Sequence, residues 1–170
     1  MARALDIIRS EHRSIAAVLD NLRRLARGAA ARPWRVDRGV FSAMVNYLEN
    51  FADRVHHPKE DRYLFAAVRR HDPWAGSLIA GLEREHAGGE QALRDLRLSL
   101  ERFEAAGGDG YAEFERAVEA FVQAYFGHMR REEEELFPLA EKLITPQEWA
   151  DIDQAFEENR DPVASGELKL

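Results

Sequence analysis

His56-His57-Pro58-Lys59-Glu60-Asp61-Arg62-Tyr63-Leu64-Phe65 returns in altered form as His128-Met129-Arg130-Arg131-Glu132-Glu133-Glu134-Glu135-Leu136-Phe137. In both copies a His is followed four residues on by Glu, eight on by Leu and nine on by Phe. A second pair of matches, Glu11-His12 and Glu85-His86, lies at nearly the same separation. The chain therefore reads as two copies of one unit, each with an early Glu-His and a later His-x-x-x-Glu. Residues four apart on a helix sit one above the other on the same face. Each His-x-x-x-Glu then presents an imidazole and a carboxylate to one point. Two facing units bring four His and two Glu to a shared centre, the donor set of a paired-metal site.

The sequence around these motifs has helical period. Leu5, Ile8, His12, Ile15, Leu19 and Leu22 form one stripe of a helix from Ala2 to Arg27, with Gly28 as a stop and Arg32-Pro33-Trp34 as a linker. Asp37 caps a second helix that continues to Arg70, with Leu48, Ala52, His56, Glu60 and Leu64 on one row. Pro58 lies inside that helix and predicts a kink. Asp72-Pro73 opens a third helix, to Ala105, whose stripe contains Leu78, Leu82, His86, Gly89, Leu93, Leu96, Leu100 and Phe103. Gly88 and Gly89 each cost about 1 kcal/mol in a helix interior, which suits close helix approach or room for a small ligand beside His86. Gly107-Gly108-Asp109-Gly110 is a turn, and a fourth helix runs from Tyr111 to Ile144 with Phe114, Val118, Phe121, Tyr125, His128, Glu132 and Leu136 inward. Thr145-Pro146-Gln147-Glu148 is a capping box for a short fifth helix, and the tail from Asn159 has no periodicity. Nothing alternates with period two. The expected fold is all-α: an up-down-up-down four-helix bundle over residues 1–145, with a short C-terminal fifth helix and tail over 146–170.

A chain of 170 residues is one domain by default and long enough to bury a core. Its 31 acidic against 24 basic residues give a net charge of −7, which argues against nucleic acid as a partner. No apolar run is long enough to span a membrane, and Asp6, Arg9 and Glu11 interrupt any signal-peptide core. Cysteine is absent, so thiolate ligands, disulfides and thiol catalysis are excluded; the expected location is the cytoplasm.

A single His on an apolar stripe is ordinarily a hydrogen-bonded core residue. One on each of four helices, with Glu60 and Glu132 one turn after two of them, is hard to produce by packing alone. Each buried Glu costs several kcal/mol unless a cation pairs with it, and no Lys or Arg lies on its own four-residue row. A metal supplies the missing positive charge. Nitrogen and oxygen donors suit iron, zinc, manganese or copper, and a helical bundle with bridging carboxylates favours a two-metal centre.

These residues carry a resemblance. Glu-His, then His-His-Pro-Lys-Glu-Asp-x-x-Leu-Phe, then Glu-His, then His-x-x-x-Glu-x-x-x-Leu-Phe-Pro resembles the hemerythrin-like, HHE cation-binding family across the four long helices. The tail from Thr145 to Phe156 resembles the segment that follows the bundle in bacterial members. The resemblance implies two iron ions in an Fe–O–Fe centre, with zinc or manganese as alternatives. Its terminal ligands are His12, His56, His86 and His128, and its bridges Glu60 and Glu132. His57, about 100° round a regular helix from His56, is read as facing solvent or standing behind the ligands. Pairing it with Asp61 instead would break the repeat. Glu90, four after His86, is read as facing solvent or supporting the ligands, with a substitute ligand as the alternative; His71 as a surface or capping residue; Tyr125 as core packing, or else beside the centre; and Glu132 to Glu135 as a solvated face with only Glu132 inward. Oxygen carriers of the family have a fifth His four residues before the position of His86; here that residue is Leu82. Four imidazoles leave an open position on each metal, which implies binding or sensing of a diatomic molecule (dioxygen or nitric oxide) or a peroxide. A di-iron oxidase, peroxidase, nitric oxide reductase or iron–sulfur repair protein is an alternative, as is metal storage and delivery.

Overall fold

Glu60 and Glu132, four residues after their histidines, each open a π-helical segment, Glu60–Phe65 and Glu132–Leu136. The computed structural model describes residues 3–29, 36–106 and 109–168, and among these every regular element is helical. α1 is Arg3–Ala29. α2 is a continuous rod over residues 38–71: α-helical at Arg38–Tyr47, π-helical at Leu48–His56, α-helical for one turn at His57–Lys59, π-helical at Glu60–Phe65 and α-helical at Ala66–His71. A 3-10 turn, Pro73–Ala75, leads into α3, Gly76–Ala105. α4 covers residues 111–143, with its π-helical segment in the middle, and α5 is Pro146–Glu157. The expected linker Arg32-Pro33-Trp34, Ala2 and Gly107-Gly108 lie outside the described residues.

The caps follow the sequence. The Asp37 side chain accepts from the Val40 N–H, and the Asp72 side chain from that of Trp74. Both halves of the Thr145–Glu148 capping box are formed. Pro58 does not break α2. The helix widens before it, and the His57 N–H reaches the carbonyl five residues back, at Ala52. The same happens before Pro138, where the Phe137 N–H reaches Glu132. A wider turn relieves the clash between a proline ring and the carbonyl one α-turn behind it.

Two apolar clusters fill the interior, with a polar layer between them. One contains Leu5, Ile8, Leu64, Phe65, Leu82, Leu136 and Phe137; the other contains Ile15, Leu19, Ala52, Leu93, Phe103, Phe114 and Met129. α1 and α3 pass from the first cluster to the second, whereas α2 and α4 pass from the second to the first. The His and Glu motifs fall on each helix between the two. α5 packs on α1, and Ile152 and Phe156 complete the first cluster. The Lys59 ammonium donates to the Ala155 carbonyl of α5, and the segment after α5 folds back on α1 and α2, where Asn159 donates to Glu11 and Tyr47 donates to Asp161. No helix among the described residues is long and apolar enough to cross a membrane.

Phe103 is fully buried and stacks on Phe114 at 5.3 Å between ring centres. Phe103→Ala should destabilise the fold by about 3–5 kcal/mol, read from denaturant unfolding. Because Phe103 stands apart from the polar layer, metal content per folded chain should not change.

Candidate metal centre

The stripe that gives each long helix its apolar face carries His12, His56, His86 and His128 into the polar layer. His12, His56 and His128 are buried, and so are Glu60 and Glu132, both without solvent exposure. The His86 side chain is 5% exposed. The six residues read from the repeat therefore meet in one place.

Each of the four imidazoles is anchored through Nδ1 by a carboxylate. His56 Nδ1 lies 2.7 Å from Glu11, His86 Nδ1 2.8 Å from Asp61, His128 Nδ1 2.8 Å from Glu85 and His12 Nδ1 2.7 Å from Glu133. With Nδ1 turned to a carboxylate, every Nε2 is turned inward, the nitrogen that binds a metal once it carries no proton. Glu11 in turn accepts from Asn159 at 2.7 Å, and Arg131 closes on Glu85. Glu133 is a correction to the sequence reading, which placed the residues after Glu132 on a solvated face. Its carboxylate is partly exposed but belongs to the site.

The Nε2 atoms face the two buried carboxylates without hydrogen-bonding to them. Glu132 Oε2 is 3.3 Å from His12, and Oε1 is 3.2 Å from His128 and 3.7 Å from His86. Glu60 Oε1 is 3.8 Å from His12, and Oε2 is 3.4 Å from His56 and 3.7 Å from His86. Donors that share an ion at about 2.0–2.2 Å stand roughly 3 Å or more from one another, so these separations suit ligands of common ions. His86 and His128 bring their Nε2 atoms to 2.9 Å. Among the described residues, all four carboxylate oxygens of Glu60 and Glu132 are buried without a hydrogen-bond partner. A buried carboxylate left so is costly, and a cation is the partner that fits.

Of the two positions read for His57, facing solvent or behind the ligands, burial removes the first. His57 is 5% exposed, and its ring stacks on His86 at 4.1 Å. Ligand atoms of His57, Glu60, His86 and His128 lie within 4.8 Å of one another, as do those of His12, His56 and Glu60. The π-helical turns flanking Pro58 alter the angular step of the helix, so adjacent His56 and His57 both point inward. Asp53 lies 3.3 Å from His57 Nδ1 and accepts from the Tyr125 hydroxyl at 2.7 Å. Gly89 makes room for it, since a Cβ there would stand 2.9 Å from both Asp53 oxygens. Glu90 is exposed and pairs with Arg94, and His71 pairs with Glu148 on the surface, as the sequence suggested.

The protein by itself can balance its buried carboxylates by protonating the imidazoles that face them. Burial opposes a charge on His86, but Asp61, Glu132 and Glu60 outweigh it and lift its pKa to about 10. Burial likewise opposes the proton on His12 and His128, and Glu132 leads the carboxylates that raise both. Burial would push Glu132 up, yet His128, His12 and His86 hold it well below the usual carboxylate range. His57 goes the other way: burial first, then His86, His56 and His128, keep it neutral.

The family model described as hemerythrin HHE cation binding domain matches residues 3–140. No curated protein and no solved structure gave a significant match.

A raised imidazole contributes its full stabilisation below the unfolded value of about 6.5 and loses it as pH climbs through the folded value. Glu132 stays ionised across that range. Chelator-stripped protein should therefore melt at a lower temperature at about pH 9 than at about pH 6. Metal binding must displace those protons and should strengthen over the same interval. Calorimetric scans of stripped and metal-loaded protein should show the gap between their melting temperatures widening as pH rises.

Proposed function

Because this chain belongs to the hemerythrin HHE cation-binding family, we propose that its long helices form an up-down-up-down four-helix bundle around two iron ions, where dioxygen, nitric oxide or a peroxide binds. The four partnerless oxygens of Glu60 and Glu132 carry this reading. Each carboxylate faces imidazoles from opposite halves of the chain, so each is placed to bridge. The alternating order in which the helices cross the two apolar clusters supports the bundle topology.

His12 and His56 would hold one ion, and His86 and His128 the other, with His57 beside them as a further donor. The donor set of imidazole and carboxylate suits iron and also admits zinc or manganese. Bound iron supplies redox chemistry and coordination positions for a small ligand. The chain's own part is to fix each Nε2 lone pair by anchoring Nδ1, to keep the carboxylates ionised and to exclude bulk water. Four imidazoles alone imply an open position on each ion. With His57 as a fifth, the His86–His128 side gains a protein donor and the His12–His56 side keeps the vacancy. Leu82 stands where oxygen carriers have their additional His, and it packs in the apolar cluster; α2 offers that nitrogen instead.

Metal analysis of freshly purified protein should give two iron ions per chain. Glu60→Gln should lower this below two, and retention of both ions with an unchanged absorption spectrum would refute the bridging role. Asp61→Asn, which leaves His86 without its anionic anchor, should weaken metal affinity about 10–100-fold, measured by competition with a chelator. His57→Ala should keep close to two ions while shifting the spectrum; an unchanged spectrum would remove His57 from the ligand set. Stopped-flow mixing of reduced protein with nitric oxide should give a stable nitrosyl spectrum. Catalytic turnover with a reductant would favour an enzyme, and metal loss on reduction a delivery role.

A further inference from the structure

Three of the four acids that anchor the imidazoles stand in contact with solvent, and one does not. The side chains of Asp61, Glu85 and Glu133 are 37%, 43% and 40% exposed, so water can complete their hydrogen bonding. The Glu11 side chain is 4% exposed. One of its oxygens, Oε2, lies 2.7 Å from His56 Nδ1, and the other, Oε1, accepts from the Asn159 amide at 2.7 Å. A carboxylate shut away from solvent needs partners for both oxygens from the protein itself. For Oε1 of Glu11 that partner is Asn159.

Asn159 lies just past the end of α5 and outside residues 3–140, which the family model matches. Its backbone N–H donates to the Phe156 carbonyl and closes the helix end. The chain on either side is tied down. Ile152 and Phe156 belong to the first apolar cluster, Val163 and Leu168 pack against the second, and Asn159 falls between them at the polar layer. Asp161 accepts from the Tyr47 hydroxyl of α2 and from the Val163 N–H. The side chain of Asn159 is turned inward although its Oδ1 is thereby buried without a partner. An amide in a loop is free to face water, and burying its oxygen unpaired is unfavourable. The bond to Glu11 is what the inward orientation achieves.

We propose that Asn159 is a positioning residue of the metal centre: it fixes Glu11, Glu11 fixes the His56 ring, and the His12–His56 end depends on a segment outside the four long helices. The amide donates to Oε1 and so holds the carboxylate with Oε2 against Nδ1, while His56 Nε2 stays turned toward Glu60 at 3.4 Å. Asp61, Glu85 and Glu133 have no such tie to this segment among the described residues. The effect on metal rests on the two-ion reading. The chain of contacts from Asn159 to His56 does not.

The test replaces Asn159 in the full-length protein in two ways. Asn159→Leu is similar in size and has no donor, and Asn159→Ala has no bulk to displace the segment. Thermal melting identifies the folded samples. In chelator-stripped protein, nitrogen NMR spectra of isotope-labelled histidine should show the His56 imidazole signals moved in both variants, with those of His86 and His128 in place. Ferrous iron, added anaerobically as the sole metal, is then titrated against a chelator. One of the two ions should be held about 10-fold more weakly than in wild type, with the other unchanged. Tyr47→Phe, which removes the bond to Asp161 but not the Asn159–Glu11 pair, should change neither ion. Unmoved His56 signals, two ions that weaken equally or not at all, or the same loss in Tyr47→Phe would overturn the proposal. Moved His56 signals in a protein that takes up no iron would sustain the link from Asn159 to His56 while refuting the two-ion reading; two bound ions with unmoved signals would do the reverse.

Discussion

Two carboxylates stand in the interior with no Lys or Arg to meet them among the described residues, and most of the local architecture answers to that fact. Glu60 and Glu132 are completely buried, and no Lys or Arg pairs with either among the described residues. Left alone, each would destabilise the fold by several kcal/mol. Four imidazoles surround them, apolar clusters close the layer above and below, and the helices widen where the carboxylates begin. Polar layers of this kind weaken a core, so their retention is itself a sign of use. Family membership gives that use its general form, cation binding.

The imidazoles are held by a ring of acids that passes round the helices. Glu11 on α1 anchors His56 on α2, and Asp61 on α2 anchors His86 on α3. Glu85 on α3 anchors His128 on α4, and Glu133 on α4 returns to His12 on α1. Every one of these acids is the sequence neighbour of a centre residue: Glu11-His12, Glu60-Asp61, Glu85-His86 and Glu132-Glu133. Neighbouring residues project well apart around a helix, about 100° in its α-helical parts. When one points at the centre, the other points at the adjacent helix. Each dipeptide thus supplies one inward donor and one anchor for the next helix, and tilting one helix would disturb the imidazole of another.

Helical period was enough to read the long helices, the depth of the four histidines and the pairing of His with Glu four residues on. Those features depend on one face of a regular helix. The solvent-facing alternative for His57 and the solvated reading of Glu133 failed for related reasons, because they assumed a uniform angular step and a dry inside opposed to a wet outside. The π-helical turns beside Pro58 break the first assumption. The second fails because Glu133 bonds to a buried imidazole while remaining partly exposed. The segment after α5 has no period, and so nothing local announces that Asn159 reaches Glu11. Such contacts are fixed by tertiary folding and have no signature in spacing. The Glu-His dipeptides were visible as a repeat, but the job of their Glu emerges only when the helices are placed side by side.

A duplicated unit by itself builds a symmetric centre, and this chain departs from symmetry at a few matched positions. After the first metal-facing His comes His57; after its counterpart comes Met129. One is among the imidazoles, while the other packs in an apolar cluster. Three residues before the same histidines stand Asp53 and Tyr125, and these have become an acceptor and a donor bonded to each other across the interior. The changes fall on one side, where Asp53 and His57 of α2 meet Tyr125 of α4. The shared spacing of the repeat brings matched imidazoles and carboxylates to the centre from both halves. The divergent residues make its two ends unlike in charge and hydrogen bonding, an asymmetry that the matched motifs alone would not produce.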